Sequence, residues 1–199
     1  MYPKLIENLL EQLSKLPGVG RRSAERIVFW MLGQNTETVL GLADSITKLK
    51  EGLRFCRDCN HLSEHELCLV CNDLSRDRKI ICVVESPKDL LAIDRTGSFK
   101  GIYYVLLGNI SPTEGRGPED LNIAKLISRI SAEKIEEVVI ATDPDTEGEM
   151  TSLYLSKQLK PLGIRVSRIG LGIPVGSAVE YVDMSTLTMS LNSRRQVDF

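Results

Sequence analysis

The sequence predicts a multi-module α/β protein, and three observations along the chain support this fold class. Apolar residues recur at helical spacing over residues 1–53, and four cysteines cluster within residues 54–78. Over residues 79–170, short β-branched runs alternate with helical stretches, which is typical of a parallel sheet covered by helices. Residues 171–199 form a short C-terminal segment. A chain of 199 residues accommodates one ordinary domain with smaller modules rather than two full domains.

Composition and charge indicate a globular protein without a membrane segment. Hydrophobic residues make up 42% of the chain and charged residues 26%, which is typical of globular proteins. No apolar run is long enough to cross a bilayer, and residues 1–4 lack the layout of a secretion signal, so we expect a cytoplasmic protein with no membrane partner. The formal charge is −2, so a contact with nucleic acid requires a local basic patch.

Three helices are predicted before the cysteine segment. The first covers residues 2–16 and stops at the Pro-Gly-Val-Gly turn of residues 17–20. The second takes Ser23 as its N-cap and runs to about Leu32, and the third starts near Thr36. We expect the three to form one compact unit. The inner stripe of the third helix comprises Val39, Leu40, Ala43, Ile46 and Leu49.

The turn between the first two helices is a candidate phosphate site. Its glycines allow backbone conformations closed to other residues, and the N–H groups beyond them point outward at a positive helix end. Three arginines stand beside the turn against one acid, Glu25. Such a contact binds the phosphate backbone of a nucleic acid and does not depend on the base sequence. The alternative is an ordinary helical hairpin with solvated arginines. The predicted DNA contacts are Gly18, Gly20, Arg21, Arg22 and Arg26.

Two Cys-x-x-Cys pairs predict a structural zinc site. Cys56 and Cys59 are separated by eight residues from Cys68 and Cys71, and this spacing lets four thiolates surround one ion. The shell leaves no position for water, so the predicted role is structural. The alternative is four free thiols or a redox pair. We expect His61 and His65, between the pairs, to be exposed loop residues.

The predicted sheet has four strands and three helices. The strands are residues 80–84, 102–107, 138–142 and 165–169, and the helices are residues 87–94, 118–130 and 147–159. Cys82, in the first strand, is predicted to be buried packing. Residues 108–117 are predicted to be one long exposed loop, and the C-terminal segment contains a Pro-Val-Gly turn and one short helical stretch.

Acidic residues follow two of these strands. Glu85 follows the first, and Asp143 and Asp145 follow the third. The carboxyl ends of parallel strands form the ligand edge of an open sheet, and converging carboxylates suit Mg²⁺. The alternative is that these acids only favour the starts of helices. Thr146 and Glu149 have the spacing of a capping box, which makes Glu149 a structural residue.

Two segments resemble known domains. The turn with its arginines resembles a helix-hairpin-helix, a non-specific DNA-binding element in which the residues matching Arg22 and Arg26 contact DNA. Glu85 after its strand, together with residues 142–149, resembles a Toprim domain, the metal-binding fold of type IA topoisomerases, bacterial primases and some nucleases.

The order of these modules over residues 2–195 is similar to the RecR family of bacterial recombination mediators. The resemblance implies a non-enzymatic, ring-shaped homotetramer that clamps single- or double-stranded DNA at the nucleoid, with the C-terminal segment serving oligomerisation. It implies joint action with RecO, and sometimes RecF, to load the recombinase RecA onto single strands coated by single-strand-binding protein. It leaves Mg²⁺ or a partner protein as the candidate ligand of Glu85, Asp143 and Asp145.

The chain departs from the family pattern at two places. Arg21 and Arg22 stand where the family often has Pro-Lys, which keeps a cation at Arg22. In the tail, Ser177 and Ala178 replace a glycine and an acid. The rival hypothesis is a Mg²⁺-dependent Toprim nuclease or another phosphoryl-transfer enzyme. A topoisomerase would need a tyrosine nucleophile in a large gate domain, for which this chain has no room.

Overall fold

The computed structural model describes residues 2–194 and Gln196. The chain divides into two compact units, Met1–Leu53 and Arg54–Phe199. Within the described part of the chain, no helix is both long enough and apolar enough to cross a membrane.

The N-terminal unit contains three helices: α1 (Lys4–Leu13), α2 (Arg21–Leu32) and α3 (Thr36–Gly52). Its core lies between α1 and α2, where Leu10, Ala24 and Val28 are fully buried. The predicted N-cap at Ser23 is wrong, because α2 begins three residues earlier than expected, at Arg21, and Gly20 is its N-cap. The extended backbone of Gly20 already has the conformation that an N-cap requires.

The three helices belong to one compact unit, but α3 contributes no buried residue to its core. Leu40, Ile46 and Leu49 are each more than 60% exposed. Helical periodicity correctly identified the helix and its apolar stripe, but α1 and α2 are short and bury their stripes against each other. The apolar stripe of α3 is therefore uncovered within its own unit.

The cysteine segment forms a small finger at the start of the second unit. Two short antiparallel strands, β1 (Arg54–Phe55) and β2 (Leu62–Ser63), are followed by a single helical turn, α4 (Leu69–Asn72). The first cysteine pair lies on the loop between the strands and the second brackets the start of α4. The finger has few buried apolar side chains besides the cysteines themselves.

A four-stranded, fully parallel sheet forms the centre of the second unit, with strand order β4-β3-β5-β6. The predicted strands and helices are confirmed, with shifted ends. The predicted helix 118–130 is divided into a 3₁₀ turn at Pro118–Asp120 and an α-helix. The elements are β3 (Asp77–Val84), α5 (Pro87–Arg95), β4 (Gly101–Val105), α6 (Ile123–Glu133), β5 (Glu137–Ala141), α7 (Thr146–Leu159) and β6 (Arg165–Arg168).

The two faces of the sheet are buried against different partners. Side chains alternate along each strand, so Ile81 and Val83 pack into a core with the apolar faces of α6 and α7. Cys82 and Val84 point the other way, into a core that includes Leu90 of α5 and all four finger cysteines. Cys82 is buried packing, as predicted, and burial raises the pKa of its thiol to about 12.

The long loop and the tail differ from expectation. The loop of residues 108–117 is only partly exposed, because Ile110 and Ser111 are buried and the Ile110 N–H donates to Thr151 Oγ1 of α7 at 2.8 Å. In the tail, the left-handed residue of the turn is Gly176, with φ +90°. Ser177 therefore needs no glycine freedom. The predicted short helix is present as α8 (Met184–Asn192).

Candidate functional site

The four finger cysteines form a ready metal site. Their sulfur atoms all lie within 4.8 Å of one another, and Cys59 Sγ is 3.5 Å from Cys68 Sγ. Tetrahedral Zn²⁺ with bonds of about 2.3 Å needs sulfurs slightly under 4 Å apart, so the donor set fits zinc. Backbone N–H groups of His61 and Cys68 donate to the sulfurs of Cys59 and Cys56 at 3.4 and 3.3 Å. These contacts stabilise negative charge on the thiolates that bind the metal.

The two histidines between the cysteine pairs have different environments. His65 is exposed, as predicted, whereas the prediction that His61 is exposed is wrong. His61 is buried, and its backbone carbonyl accepts the Cys56 N–H at 2.7 Å, which closes the loop that carries the first cysteine pair. The metal-ligating group found among the described residues contains four cysteines and neither histidine.

Hydrogen bonds tie the finger to the edge strand β4. The Val105 N–H donates to the Cys59 carbonyl at 2.8 Å, and Asn60 Nδ2 donates to the Val105 carbonyl at 2.9 Å. Asn60 itself has φ +59°, a left-handed conformation that asparagine tolerates better than most residues. The finger therefore docks on the main chain of β4 through the Cys59 carbonyl and the Asn60 side chain.

Arg129 of α6 strengthens this docking and was not predicted from the sequence. Its side chain is 7% exposed, and its Nη1 donates to the carbonyls of Asp58 at 3.1 Å and Tyr103 at 3.0 Å. Its Nε donates to Glu133 at 2.8 Å, so the buried charge is paired. One guanidinium thus joins the metal loop, the sheet and α6.

The glycine turn of the N-terminal unit leaves the start of α2 open. Gly18 has φ +79°, which requires glycine freedom, and Gly20 precedes α2 without any capping side chain. The first N–H groups of α2 therefore face solvent at the positive end of the helix dipole. A Cβ at either glycine would meet open space, so a ligand could approach the backbone closely.

The three arginines near this turn are not equivalent. Arg21 Nη2 lies 2.7 Å from Glu7, and Arg21 Nε lies 3.6 Å from Glu25. The hydrogen bond with Glu7 raises the pKa of Arg21. Arg22 and Arg26 are exposed, and no acid in residues 2–194 lies within ion-pair distance of either. These two cations are therefore free to meet an anionic ligand, whereas Arg21 is already neutralised.

The acids of the sheet lie at its topological switch point. Strand β3 is followed by Glu85 and its neighbour β5 by Asp143, and the chain leaves these strands toward opposite edges of the sheet. Glu85 is 6% exposed; Oε1 accepts the Asp143 N–H at 3.0 Å and Oε2 accepts from Asn109 Nδ2 at 2.8 Å. Burial raises the pKa of Glu85, and desolvation with the nearby Asp89 and Asp145 raises that of Asp143.

The helix after β5 uses a different cap from the predicted one. Asp145 is the N-cap of α7, and its Oδ1 accepts the Gly148 N–H at 2.7 Å. The predicted capping box of Thr146 and Glu149 is wrong, because the stronger acceptor stands one residue earlier. Glu149 instead accepts a hydrogen bond from Arg168 of β6.

Glu85, Asp143 and Asp145 do not form a compact metal-ligating group among the described residues. Glu85 accepts two hydrogen bonds and Asp145 Oδ1 accepts the cap hydrogen bond, whereas the Asp143 carboxylate accepts none from residues 2–194. Glu85 and Asp143 nevertheless line one open cavity of about 510 Å³. The finger residues Phe55 and Leu62 and the loop residue Arg116 line the same cavity. Its wall therefore combines acidic, basic and apolar groups.

Comparisons with known proteins agree with this architecture. Residues 79–170 match the family model for the Toprim domain. Three further models describe modules of RecR: its helix-hairpin-helix matches residues 6–50, its four-cysteine zinc finger residues 53–73, and its C-terminal part residues 172–195. A protein named "Recombination protein RecR" from Acidothermus cellulolyticus is 47% identical over 198 residues, covering 100% of both chains.

The parallel sheet with its acidic switch point, joined to a four-cysteine finger and a helical hairpin, defines a protein of the Toprim class. Within that class, the chain belongs to the RecR family. Family membership supports a role in recombinational repair, and the four-cysteine cluster with its zinc-finger match supports a structural zinc ion.

Proposed function

We propose that this protein is a non-enzymatic DNA clamp that helps load RecA onto single strands covered by single-strand-binding protein, together with RecO and RecF. It does this work at the nucleoid, in the cytoplasm. The observation that carries the proposal is the pair of free cations Arg22 and Arg26 beside an open helix start, in a chain of the RecR family. Phosphate oxygens are the natural ligands of such an arrangement.

DNA binding through this hairpin is tested by removing its free cations. Arg22→Ala with Arg26→Ala should weaken binding to single and double strands alike, because phosphate contacts do not depend on sequence. Each lost contact should also reduce the salt dependence of log K by about 0.7 on single strands. Gel shifts at several salt concentrations measure both effects.

Arg21→Ala is the matched control, since Glu7 and Glu25 already neutralise that cation. It should change affinity much less than the double variant. Circular dichroism checks that both proteins fold. If the double variant folds and binds DNA as the parent protein does, the DNA-binding site lies outside this hairpin.

A homotetramer is proposed because each unit exposes apolar side chains that its own core leaves uncovered. In the N-terminal unit these are the stripe of α3, and in the second unit they lie in the C-terminal segment, where Tyr181 and Met184 are more than 80% exposed. Contiguous apolar patches of this kind mark association surfaces. Native mass spectrometry should give four times the chain mass of 22.2 kDa. A monomer at micromolar concentration would contradict the ring.

The second candidate function is a Mg²⁺-dependent nuclease, and one observation favours it. Burial raises the pKa values of Glu85 and Asp143, and the neighbouring carboxylates add to both shifts. A bound cation would offset this repulsion between the carboxylates. We favour the clamp because Glu85 and Asp145 already hold the scaffold together. Labelled DNA incubated with the protein and Mg²⁺ decides between them: cleavage that disappears in Glu85→Gln would overturn the clamp as a complete account.

The acidic edge is proposed instead as a surface for a partner protein, RecO. Asp143 is the carboxylate there without a hydrogen-bond commitment in the described part of the chain, so Asp143→Asn tests it with little effect on folding. A pull-down with RecO should weaken in this variant. Retained binding would remove Asp143 from the partner surface.

A further inference from the structure

An aromatic side chain continues the row of free cations on α2. Arg22, Arg26 and Trp30 are spaced four residues apart, so they lie one above another on one face of the helix. Trp30 is 51% exposed. With Ser23, Arg26 and Ile27 it lines a shallow groove of about 410 Å³ on the surface of the N-terminal unit.

The half-exposed indole is not part of the core of its own unit. The adjacent Phe29 makes an edge contact with Tyr2, at 5.8 Å between ring centroids, so it supports α1. Trp30 belongs to neither the buried core of this unit nor its partly buried shell. Large aromatic rings are usually withdrawn from water, so a half-exposed indole beside two free arginines indicates a ligand with apolar faces.

We propose that Trp30 stacks on an unpaired nucleobase while Arg26 and Arg22 hold the adjoining phosphates, so that this hairpin binds single-stranded DNA in preference to duplex. The inference rests on the proposed DNA-binding function and specifies its ligand. Successive residues of the row are about 6 Å apart along the helix axis, which is close to the spacing of successive phosphates in an extended strand. Stacking of a base on an aromatic side chain contributes about 1–3 kcal/mol and tolerates any sequence.

The groove beside Trp30 could be covered by nucleic acid or by a second copy of this chain, and the charge of its residues favours nucleic acid. A subunit contact over Trp30 would withdraw Arg26, and Arg22 next to it, from water, and within residues 2–194 neither arginine has an acid of its own chain to pair with. Burying unpaired cations is strongly unfavourable. A polyanion neutralises both cations and offers flat apolar faces to the indole. In a duplex the bases are already stacked and paired, so Trp30 gains nothing there.

The chain contains one tryptophan, so its fluorescence reports on this position alone. The full-length protein is titrated with an oligothymidine, an abasic strand of the same length and a duplex. We expect the oligothymidine to quench the emission, and the abasic strand and the duplex to bind with little quenching. Trp30→Ala should lose about 5- to 150-fold in affinity for oligothymidine, corresponding to one stacked base, while its affinity for duplex stays unchanged. Trp30→Phe should retain most of the affinity.

Leu32→Ala is the control variant, because Leu32 is an exposed apolar residue of the same helix on another face. It should bind oligothymidine like the parent protein. If oligothymidine and the abasic strand bind equally and neither quenches, the stacking inference fails while phosphate binding stands. If no DNA binds the parent protein, the proposed function itself fails. A Trp30→Ala protein of lower native mass would show that the groove is a subunit contact and would overturn the inference.

Discussion

Glu85 Oε1 accepts a hydrogen bond from the Asp143 N–H at 3.0 Å, so an acid at the end of β3 is fixed to the main chain at the end of the neighbouring strand β5. The second oxygen of Glu85 is held by Asn109 at 2.8 Å. Both oxygens of this buried carboxylate are therefore used within the fold. In this chain the acidic edge of the Toprim sheet is part of the scaffold as well as a candidate surface for ligands.

Gly148→Ala should destabilise this edge. A Cβ at Gly148 would lie 2.1 Å from the Asp143 carbonyl oxygen and 2.8 Å from Glu85 Oε1. The carbonyl belongs to the backbone and cannot turn away, so α7 would have to move from the strand ends. We expect the free energy of unfolding to fall by about 3 kcal/mol, measured by urea denaturation.

Gly172→Ala serves as the control for that measurement. Its Cβ would meet no atom within 4 Å, and its φ lies outside the left-handed region. The change in stability should stay within about 0.5 kcal/mol. Equal stability of the two variants would mean that α7 starts farther from Asp143 than the structure indicates.

Glu85→Gln should change how stability depends on pH. Burial raises the folded-state pKa of Glu85 above its ordinary value, so the native state holds its proton longer than the unfolded chain does. Protonated Glu85 makes its full contribution to the free energy of unfolding at a pH below its pKa in the unfolded chain. This contribution is lost as the pH rises through its pKa in the folded protein. At neutral pH the ionised Glu85 therefore weakens the fold, and the neutral amide removes that penalty.

The amide also has a hydrogen-bond partner available, because Asn109 Oδ1 is buried without one in the described part of the chain. We expect Glu85→Gln to be more stable than the parent at pH 7 and to lose this advantage near pH 4. Thermal unfolding across that range measures the difference. A variant that is less stable at pH 7 would show that the two charge-assisted hydrogen bonds outweigh desolvation.

The features that the sequence predicted correctly depend on local patterns. The Cys-x-x-Cys spacing brings two thiols together within one short turn, independently of the rest of the fold. The apolar run of residues 80–84 likewise indicated that Cys82 is buried. Caps were harder, because Asp145 and Thr146 both stand before a helical run, and only the backbone shows that Gly148 donates to Asp145. The apolar stripe of α3 could be identified, but periodicity does not show which partner covers it.

Removing the zinc should unfold more than the finger. The four cysteines are part of the buried cluster beneath Cys82, Val84 and Tyr103, so the metal site forms one wall of a sheet core. Structural zinc contributes about 10–16 kcal/mol in small fingers, comparable with the whole stability of a domain. Cys59→Ser should therefore abolish zinc binding, measured by elemental analysis, and lower the melting temperature of the second unit.

Cys82→Ser separates loss of metal from loss of a buried thiol in the same cluster. It should lower stability modestly and keep one zinc ion per chain. Retention of zinc by Cys59→Ser with an unchanged melting curve would contradict a closed four-cysteine site.

Arg129→Met should destabilise the joint between the finger and the sheet. The substitution keeps the aliphatic length of the side chain but leaves the carbonyls of Asp58 and Tyr103 without this donor. Glu133 loses its closer cation and keeps only Arg78, whose Nη2 lies 3.6 Å away. Breaking a buried pair in this way costs about 3–5 kcal/mol. Arg129→Lys should recover part of the loss, since a lysine keeps the charge but cannot reach three acceptors in the plane of a guanidinium.

Arg165→Ala is the control, because Arg165 forms the same kind of arginine–glutamate pair with Glu137 at the surface. The Arg165 side chain is 77% exposed. Its loss should cost at most about 1 kcal/mol. Hydrogen exchange at the backbone amides of Asn60 and Val105 gives a local readout that global unfolding does not. Both amides are hydrogen-bonded where the finger meets β4, next to the carbonyls that Arg129 binds. Faster exchange there in Arg129→Met, with exchange in α1 and α2 unchanged, is the expected result. Uniform acceleration across both units would mean that Arg129 supports the whole fold rather than this joint.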